Sequence, residues 1–415
     1  MAEIRPLRAI HYAPGVRLDD VVAPPYDVID DEQRAALLAR SSHNVVEIDL
    51  PQGDEPYEHA AQTFEAWLRD GVLVRDEEPA LWALTQEYTD PDGERRTRSG
   101  FFAAVRVTDY GPGRIRPHER THPGPKEDRL RLTRATNANL SPIFSLYSDP
   151  RHAAWGALAA HVDGQAPFGE TRDPDGTVNR LWRIADPDAI ATVTEAVADA
   201  ELLIADGHHR YETARVYAEE AGTDGAGWVL MCLVALEDPG LTVFPTHRLA
   251  RGRGLERYEA LATVLRENFA IEEVGEDELV PPAGGPPLEL GYLDAHFKRP
   301  FRLTLRDADA GAAELPDAPP ALQRLDTAVL EAMLLKGVLG LTDDDISHLN
   351  DFGYARDRRQ AVDLVTSGEY DVAFLLRPTP VEQVREVAAS GASMPPKSTY
   401  FFPKVPTGLV INPLD

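Results

Sequence analysis

The segment Asp206-Gly207-His208-His209-Arg210-Tyr211-Glu212-Thr213-Ala214 gathers two acids, two imidazoles and a guanidinium around one glycine. It follows the apolar run Leu202-Leu203-Ile204-Ala205, short enough for a buried strand, and leads into Tyr211–Ala218, which reads as a helix. A helix start offers free backbone N–H groups and a partial positive charge. Arg210 adds a planar fork of donors that matches phosphate oxygens. The ligand this arrangement suits is phosphate, with Asp206, Gly207, His208, His209 and Arg210 as the binding set.

A second concentration of chemistry lies in Arg116-Pro117-His118-Glu119-Arg120-Thr121-His122-Pro123-Gly124-Pro125-Lys126, a loop stiffened by three prolines. Its cations can neutralise phosphates and Glu119 can serve as a general base. The following helix carries Arg129, Arg131 and Arg134 and closes on Thr136-Asn137-Ala138-Asn139, the most basic stretch of the chain. Near the start, Ala23-Pro24-Pro25-Tyr26-Asp27 is a rigid bend that ends in an acid, and Asp27 can equally cap a helix. Near the end, Met394-Pro395-Pro396-Lys397-Ser398-Thr399-Tyr400-Phe401-Phe402-Pro403-Lys404 sets two lysines and two hydroxyls among prolines and aromatics, a composition suited to closing over an anion. His118, His122, His208, His209 and His247 with Asp206 also suggest a first-row metal site. Prolines break the four-residue spacing of His118 and His122, and flanking arginines oppose a cation, so phosphate contacts are preferred.

These groups need a scaffold, and the composition supplies one. The chain has 415 residues, 43% hydrophobic and 27% charged, which fits two globular domains. No run approaches the ~20 apolar residues of a membrane helix, and Met1–Ile10 lacks the apolar core of a secretory signal, so a cytoplasmic protein is expected. Cys232 is a lone thiol within the apolar run Trp228–Leu236, expected as a buried strand residue. A net charge of −27 repels nucleic acid and anionic membrane. The expected partner is therefore a small molecule. The oligomeric state is left open.

Strand and helix patterns alternate along the chain. Asn44–Leu50 reads as a strand and Tyr57–Leu68 as an amphipathic helix. Leu81–Tyr88 and Arg98–Val107 form a hairpin, and Phe168–Ile184 forms a second one that turns at Asp173-Pro174-Asp175-Gly176. A loop is expected over Tyr110–Pro125, then a helix over Lys126–Ala135, a strand at Ile143–Tyr147 and a helix over Ile190–Ala200. Beyond them, helices are expected at Leu255–Asn268 and Leu322–Leu335. The character shifts near Arg251–Gly254, giving two parts, 1–252 and 253–415, of mixed α/β (α+β) class.

Several blocks together resemble the family catalogued as domain of unknown function 1015. They are Val22-Ala23-Pro24-Pro25-Tyr26-Asp27-Val28-Ile29, the His118-Glu119-Arg120-Thr121 loop, Asn139-Leu140-Ser141-Pro142-Ile143, the Asp206 segment, Pro245-Thr246-His247-Arg248 and Lys397-Ser398-Thr399-Tyr400. That resemblance spans the chain and supplies no activity. The Asp206-Gly207-His208-His209-Arg210 run is in turn similar to the phosphate-binding box of the ParB/sulfiredoxin fold, which implies such a fold for the N-terminal part. Sulfiredoxins need a reactive Cys where His208 stands, and Cys232 lies in an apolar strand that disfavours a thiolate. ParB proteins need a helix-turn-helix and a basic face, neither of which the sequence offers. Free-serine kinases, which use ADP or ATP, carry this five-residue run as it stands here.

The expected activity is thus a nucleotide-dependent phosphotransfer to a small hydroxyl metabolite, with free serine the first candidate. His208, His209 and Arg210 would hold the donor phosphates. Arg120 and Lys126 would offset transferred charge. Glu119 or Asp27 would take the hydroxyl proton, His208 would assist catalysis, and Asp206 would hold Mg²⁺ or orient His208. His118, Thr121, Asn139, Ser141, His247, Arg248, Lys397, Ser398 and Thr399 are the expected substrate contacts. Two other classes stand beside it: a metal-dependent hydrolase of a phosphorylated metabolite, and a nucleotide-binding regulator without turnover.

Overall fold

A computed structural model of the chain describes residues 2–90, 93–119, 123–284 and 288–415. The class is mixed α/β, with two compact units: Met1–Thr242 joined by Pro403–Asp415, and Val243–Phe402. This division differs from a single cut near Arg251–Gly254, because the last thirteen residues fold with the first unit. No local pattern could reveal that return. It rests on pairings such as Asn412 with Asn139 and Ile10 with Ile411.

The first unit is built on a sheet of nine strands among the described residues. Its order is Ile115–Arg116, Leu202–Asp206, Ile143–Tyr147, Trp228–Ala235, Arg95–Arg106, Leu81–Thr89, Val178–Ile184 and Gly169–Arg172, with Ile4–Arg5 paired to the Arg95 strand. The Trp228 strand lies parallel to the Ile143 strand and antiparallel to the Arg95 strand, and every one of its residues is buried. That explains its continuous apolar run, since a strand covered on both faces has no polar face to show. Phe101, Ala103, Leu233, Ile143 and Ile204 belong to the main core with Tyr211 and Ala214 of the following helix. Both expected hairpins form, and Cys232 is buried in its strand.

Two expected elements differ. Asn44–Leu50 is not a strand; Val46–Asp49 forms one short helical turn. Asn44 is fully buried, its amide donates to the carbonyls of Asp20 and Val22, and its Oδ1 accepts from the Val46 N–H. A buried asparagine that makes a local turn outweighs the β-preference of Val45, Val46 and Ile48. The helix expected over Leu322–Leu335 is broken into Pro320–Gln323, Asp326–Leu330 and a wider π-type turn at Glu331–Lys336. The break falls at Arg324 and Leu325, just before Asp326, which accepts from the Leu288 N–H and from Arg377. The loop expected over Tyr110–Pro125 contains a two-residue strand at Ile115–Arg116, and the next helix starts earlier, at Pro123.

The second unit holds an antiparallel sheet in the order Phe269–Glu273, Phe301–Leu305, Glu289–Asp294, Val372–Leu375, His247–Ala250 and Phe352–Ala355. Its core gathers Leu265, Phe269, Leu290, Leu334 and Phe374. No helix among the described residues is long and apolar enough to cross a membrane.

Candidate functional site

The first unit assembles its polar centre at the end of the Leu202–Asp206 strand. Pairing with the neighbouring strand is regular through Ile204 opposite Ser145, then skips so that Asp206 faces Phe144. Such a bulge re-aims a side chain. Gly207 follows in the left-handed region at φ +94, and the helix His208–Ala221 begins at once with no side-chain cap. The first N–H groups of that helix therefore lack the usual capping oxygen.

Asp206 is the hub. Its Oδ2 accepts from Arg210 at 2.6 Å, and its Oδ1 accepts from Lys404 Nζ at 2.5 Å. All three side chains are largely buried, with relative exposures of 15%, 9% and 17%. Burial pushes the Asp206 carboxyl upward, but the Lys404 ammonium and Arg210 guanidinium outweigh it and hold the group well below the usual carboxylate range. Arg210 also donates to the Pro142 carbonyl, while its Nε is buried without a partner among the described residues. Tyr26 of the Pro-Pro bend lies between Arg210 and a further arginine, its ring centre 6.0 Å from the Arg210 guanidinium and 4.2 Å from that of Arg129.

The two histidines of the separate sequence blocks meet here. The His118 main-chain N–H donates to His208 Nε2 at 3.3 Å, and the rings are 4.7 Å apart, edge to face. His118 Nδ1 lies 2.8 Å from the Ile204 carbonyl, which can only accept, so that nitrogen carries the proton. Burial pushes the His118 imidazole down to about 4, and burial with His118 alongside holds His208 well below its ordinary value. Both are neutral at pH 7.

The sign of the resulting pH dependence is fixed. These imidazoles bind protons more weakly folded than unfolded, so their contribution is intact above about pH 6.5 and is lost as acid protonates the unfolded chain. For His118 the loss is expected to grow by about 1.4 kcal/mol per pH unit until its folded value near 4 is reached. Urea midpoints between pH 7.5 and 4.5 measure it, and His118→Asn, which keeps a donor toward Ile204, should flatten the slope. An unchanged slope in that variant would assign the titration elsewhere.

Other expected residues have definite places. Glu119 is 28% exposed, its carboxylate 4.0 Å from His118 Nε2. Asp27 is exposed on a one-turn 3₁₀ segment and acts electrostatically on Arg210. Lys126 lies half-buried in the Pro123–Thr136 helix, and its carbonyl accepts from Thr213 at 3.3 Å. His209 is half-buried in the first turn of the His208 helix. Asn139 accepts from the Leu230 N–H and from Asn412, while Ser141 donates to Asp49 at 2.8 Å and bonds Thr407. Both residues therefore anchor the returning C-terminal segment. Arg120, Thr121 and His122 lie outside the described residues.

His247, Arg248, Lys397, Ser398 and Thr399 belong to the second unit. His247 Nδ1 accepts from the Leu376 N–H, and burial pushes its imidazole down to about 4. Arg248 clamps the turn at Lys397 by donating to the carbonyls of Thr246, Pro396 and Lys397. Lys397 is exposed at φ +56, while Ser398 and Thr399 are buried, with Ser398 Oγ bonded to Thr327 and donating to Pro395.

Gln86, Arg98, Asn179 and Asp49, which sequence reasoning passed over, complete the centre with Lys404 and Arg129, which it named only as members of a lysine-bearing tail and a basic helix. Arg129 is 5% exposed and donates to the Asp49 carbonyl at 2.6 Å. With Asp49, Asn139, Ser141, Arg210 and Thr213 on one side and apolar residues such as Leu132 and Val229 on the other, it lines a small cavity of about 40 Å³. Arg98 carried no distinctive signal in sequence, because both parities of its strand are apolar beyond it, with Gly100 and Phe102 on one face and Phe101 and Ala103 on the other.

No group of three or more His, Cys, Asp and Glu that could hold a metal ion occurs among the described residues. Both Asp206 oxygens face cations, so that carboxylate as arranged does not fit a Mg²⁺ ligand.

Fold and site together define a mixed α/β protein with an uncapped helix start beside a buried, cation-rich carboxylate. The chain belongs to the family described as protein of unknown function (DUF1015), whose model matches residues 4–328. No curated protein matches. Among solved structures, a free serine kinase in complex with AMP is 15% identical, with a TM-score of 0.35, covering 71% of this chain and 88% of that one. SbnI with a C-terminal truncation, from Staphylococcus aureus, is 13% identical at TM-score 0.37, with coverages of 75% and 87%. A conserved hypothetical protein from Pyrococcus furiosus is 15% identical at TM-score 0.35, with coverages of 71% and 92%.

Proposed function

We propose that this protein is a nucleotide-dependent phosphotransferase acting on a small hydroxyl metabolite, with free serine the first acceptor to test and ADP or ATP the donor. The observation that carries the reading is the His208 helix, which starts on Gly207 with no side-chain cap beside two cations that share one carboxylate. Free N–H groups and a net positive centre suit the phosphates of a nucleotide. Phosphoryl transfer asks a protein mainly to position groups and neutralise charge.

The roles fall differently from a simple fork of His and Arg. Arg210 is committed to Asp206 and Pro142, so it stiffens the turn. His208 is neutral with its Nε2 facing the His118 N–H, so it shapes the site. Phosphate oxygens then fall to the helix N–H groups and to Lys404, with Lys126 as a further cation. Glu119, half-buried beside His118, is better supported as general base than the exposed Asp27.

Titration calorimetry with ADP and ATP in the presence of Mg²⁺, on wild type and Lys404→Met, tests the reading. Wild type is expected to bind one of them, and Lys404→Met to bind at least tenfold more weakly, about 1.4 kcal/mol. Serine is then added as acceptor and phosphoserine measured. A wild-type protein that binds neither nucleotide sinks the proposal.

A further inference from the structure

Arg98 is 1% exposed, and no Asp or Glu forms an ion pair with it among the described residues. Burying a guanidinium in this way costs several kcal/mol, and an aliphatic side chain would fill the place without that cost. Its location suggests why it is there. Asp206 faces Phe144, Phe144 faces Cys232, and Cys232 faces Phe102, so these side chains share one face of the sheet. Arg98 lies four residues before Phe102 on the same face, its guanidinium 4.4 Å above the Phe144 ring. Directly opposite, on the paired strand, is Gln86.

The Gln86 amide has every valence used. Its Oε1 accepts from Arg98 Nε at 3.1 Å and from the second guanidinium nitrogen. Its Nε2 donates to Asn179 Oδ1 at 2.7 Å and to the main-chain carbonyl of Lys404 at 2.9 Å. Asn179 in turn donates to Asp173 at 3.0 Å. Arg98 can only donate, so it decides which end of the amide faces Lys404. A flipped amide would set oxygen against the Lys404 carbonyl. The main chain at Lys404 lies in neither strand nor helix, so this side-chain bond stands where a ladder bond would otherwise hold it. From that base the Lys404 ammonium reaches Asp206.

We propose that Arg98 and Gln86 are positioning residues that fix the main chain of Lys404, and through it the ammonium group, at the phosphate-facing centre. The chemical role rests on the phosphotransferase reading; the placement of Lys404 does not. Arg98 touches no reacting atom. It acts through Gln86, and Gln86 through the Lys404 carbonyl.

The chain has five lysines, so ¹³C-methylated lysine side chains give a resolvable NMR spectrum of the intact protein. In Arg98→Met and in Gln86→Leu the Lys404 signal is expected to move toward the position of a solvated lysine. Those of Lys126, Lys298, Lys336 and Lys397 should stay. Where wild type transfers phosphate, both variants should lose at least tenfold in kcat/KM for the nucleotide, as Lys404→Met does, and Arg98→Lys should recover part of the loss. An unmoved Lys404 signal in both variants overturns the inference, and so does a kcat/KM for the nucleotide within twofold of wild type. If wild type transfers nothing, the phosphotransferase reading fails separately, and the lysine spectrum still decides the placement.

Discussion

Gly207→Ala is expected to destabilise the first unit by about 3–5 kcal/mol and to remove nucleotide binding with it. Two costs combine. Gly207 sits at φ +94, where an L side chain is strained by about 1–2 kcal/mol. A Cβ there would also stand 2.9 Å from Arg210 Nε and 3.0 Å from its Cζ. A solvated arginine would swing away at little cost. This one is held by Asp206 on one side and the Pro142 carbonyl on the other, and is nearly buried, so yielding means breaking a buried ion pair. The measurement is a urea unfolding curve, read beside calorimetry with the nucleotide that binds wild type. A midpoint within about 0.5 kcal/mol of wild type would mean that Arg210 is mobile and the turn is not the rigid element described here.

That glycine was legible in the sequence, because a strand-length apolar run, one Gly and a helical pattern can be read within a dozen residues. The mixed α/β class, both hairpins and the helix at Leu255–Asn268 were legible for the same reason: turn chemistry and period are local signals. Lys404 as the partner of Asp206 was not. The two are 198 positions apart, and no pattern around Pro403-Lys404-Val405-Pro406 says that the chain crosses back into the first unit. Asn139 and Ser141 look like ligand contacts in sequence because they are polar and bracketed by apolar residues. In the fold that same polarity receives Asn412 and Thr407. Arg210 reads as a free fork while Asp206 is assigned to Mg²⁺ or to His208, whereas two of its bonds go to Asp206, four residues back, and to Pro142 on another segment. Residue type reports what a group can bond. Long-range pairing decides what it does bond.

Asp206→Asn should give the other large effect. One carboxylate serves two nearly buried cations, so neutralising it leaves Lys404 and Arg210 facing each other without a counter-charge. Removing one member of a buried pair costs about 3–5 kcal/mol, most of it the stranded charge. The double variant Asp206→Asn/Lys404→Met should therefore be more stable than Asp206→Asn alone, a non-additivity that a double-mutant cycle reads directly. Acid adds an independent check. The Asp206 carboxyl is held below its unfolded value, so its contribution is complete above about pH 4 and disappears only as pH falls further. His118 and His247 lose theirs higher, between about 6.5 and 4. Asp206→Asn should then reduce the slope of the stability profile below pH 4 and leave the part above it parallel to wild type. If the two curves instead diverge between pH 6 and 5, Asp206 titrates in the histidine window, and Lys404 and Arg210 do not hold it ionised as the geometry requires.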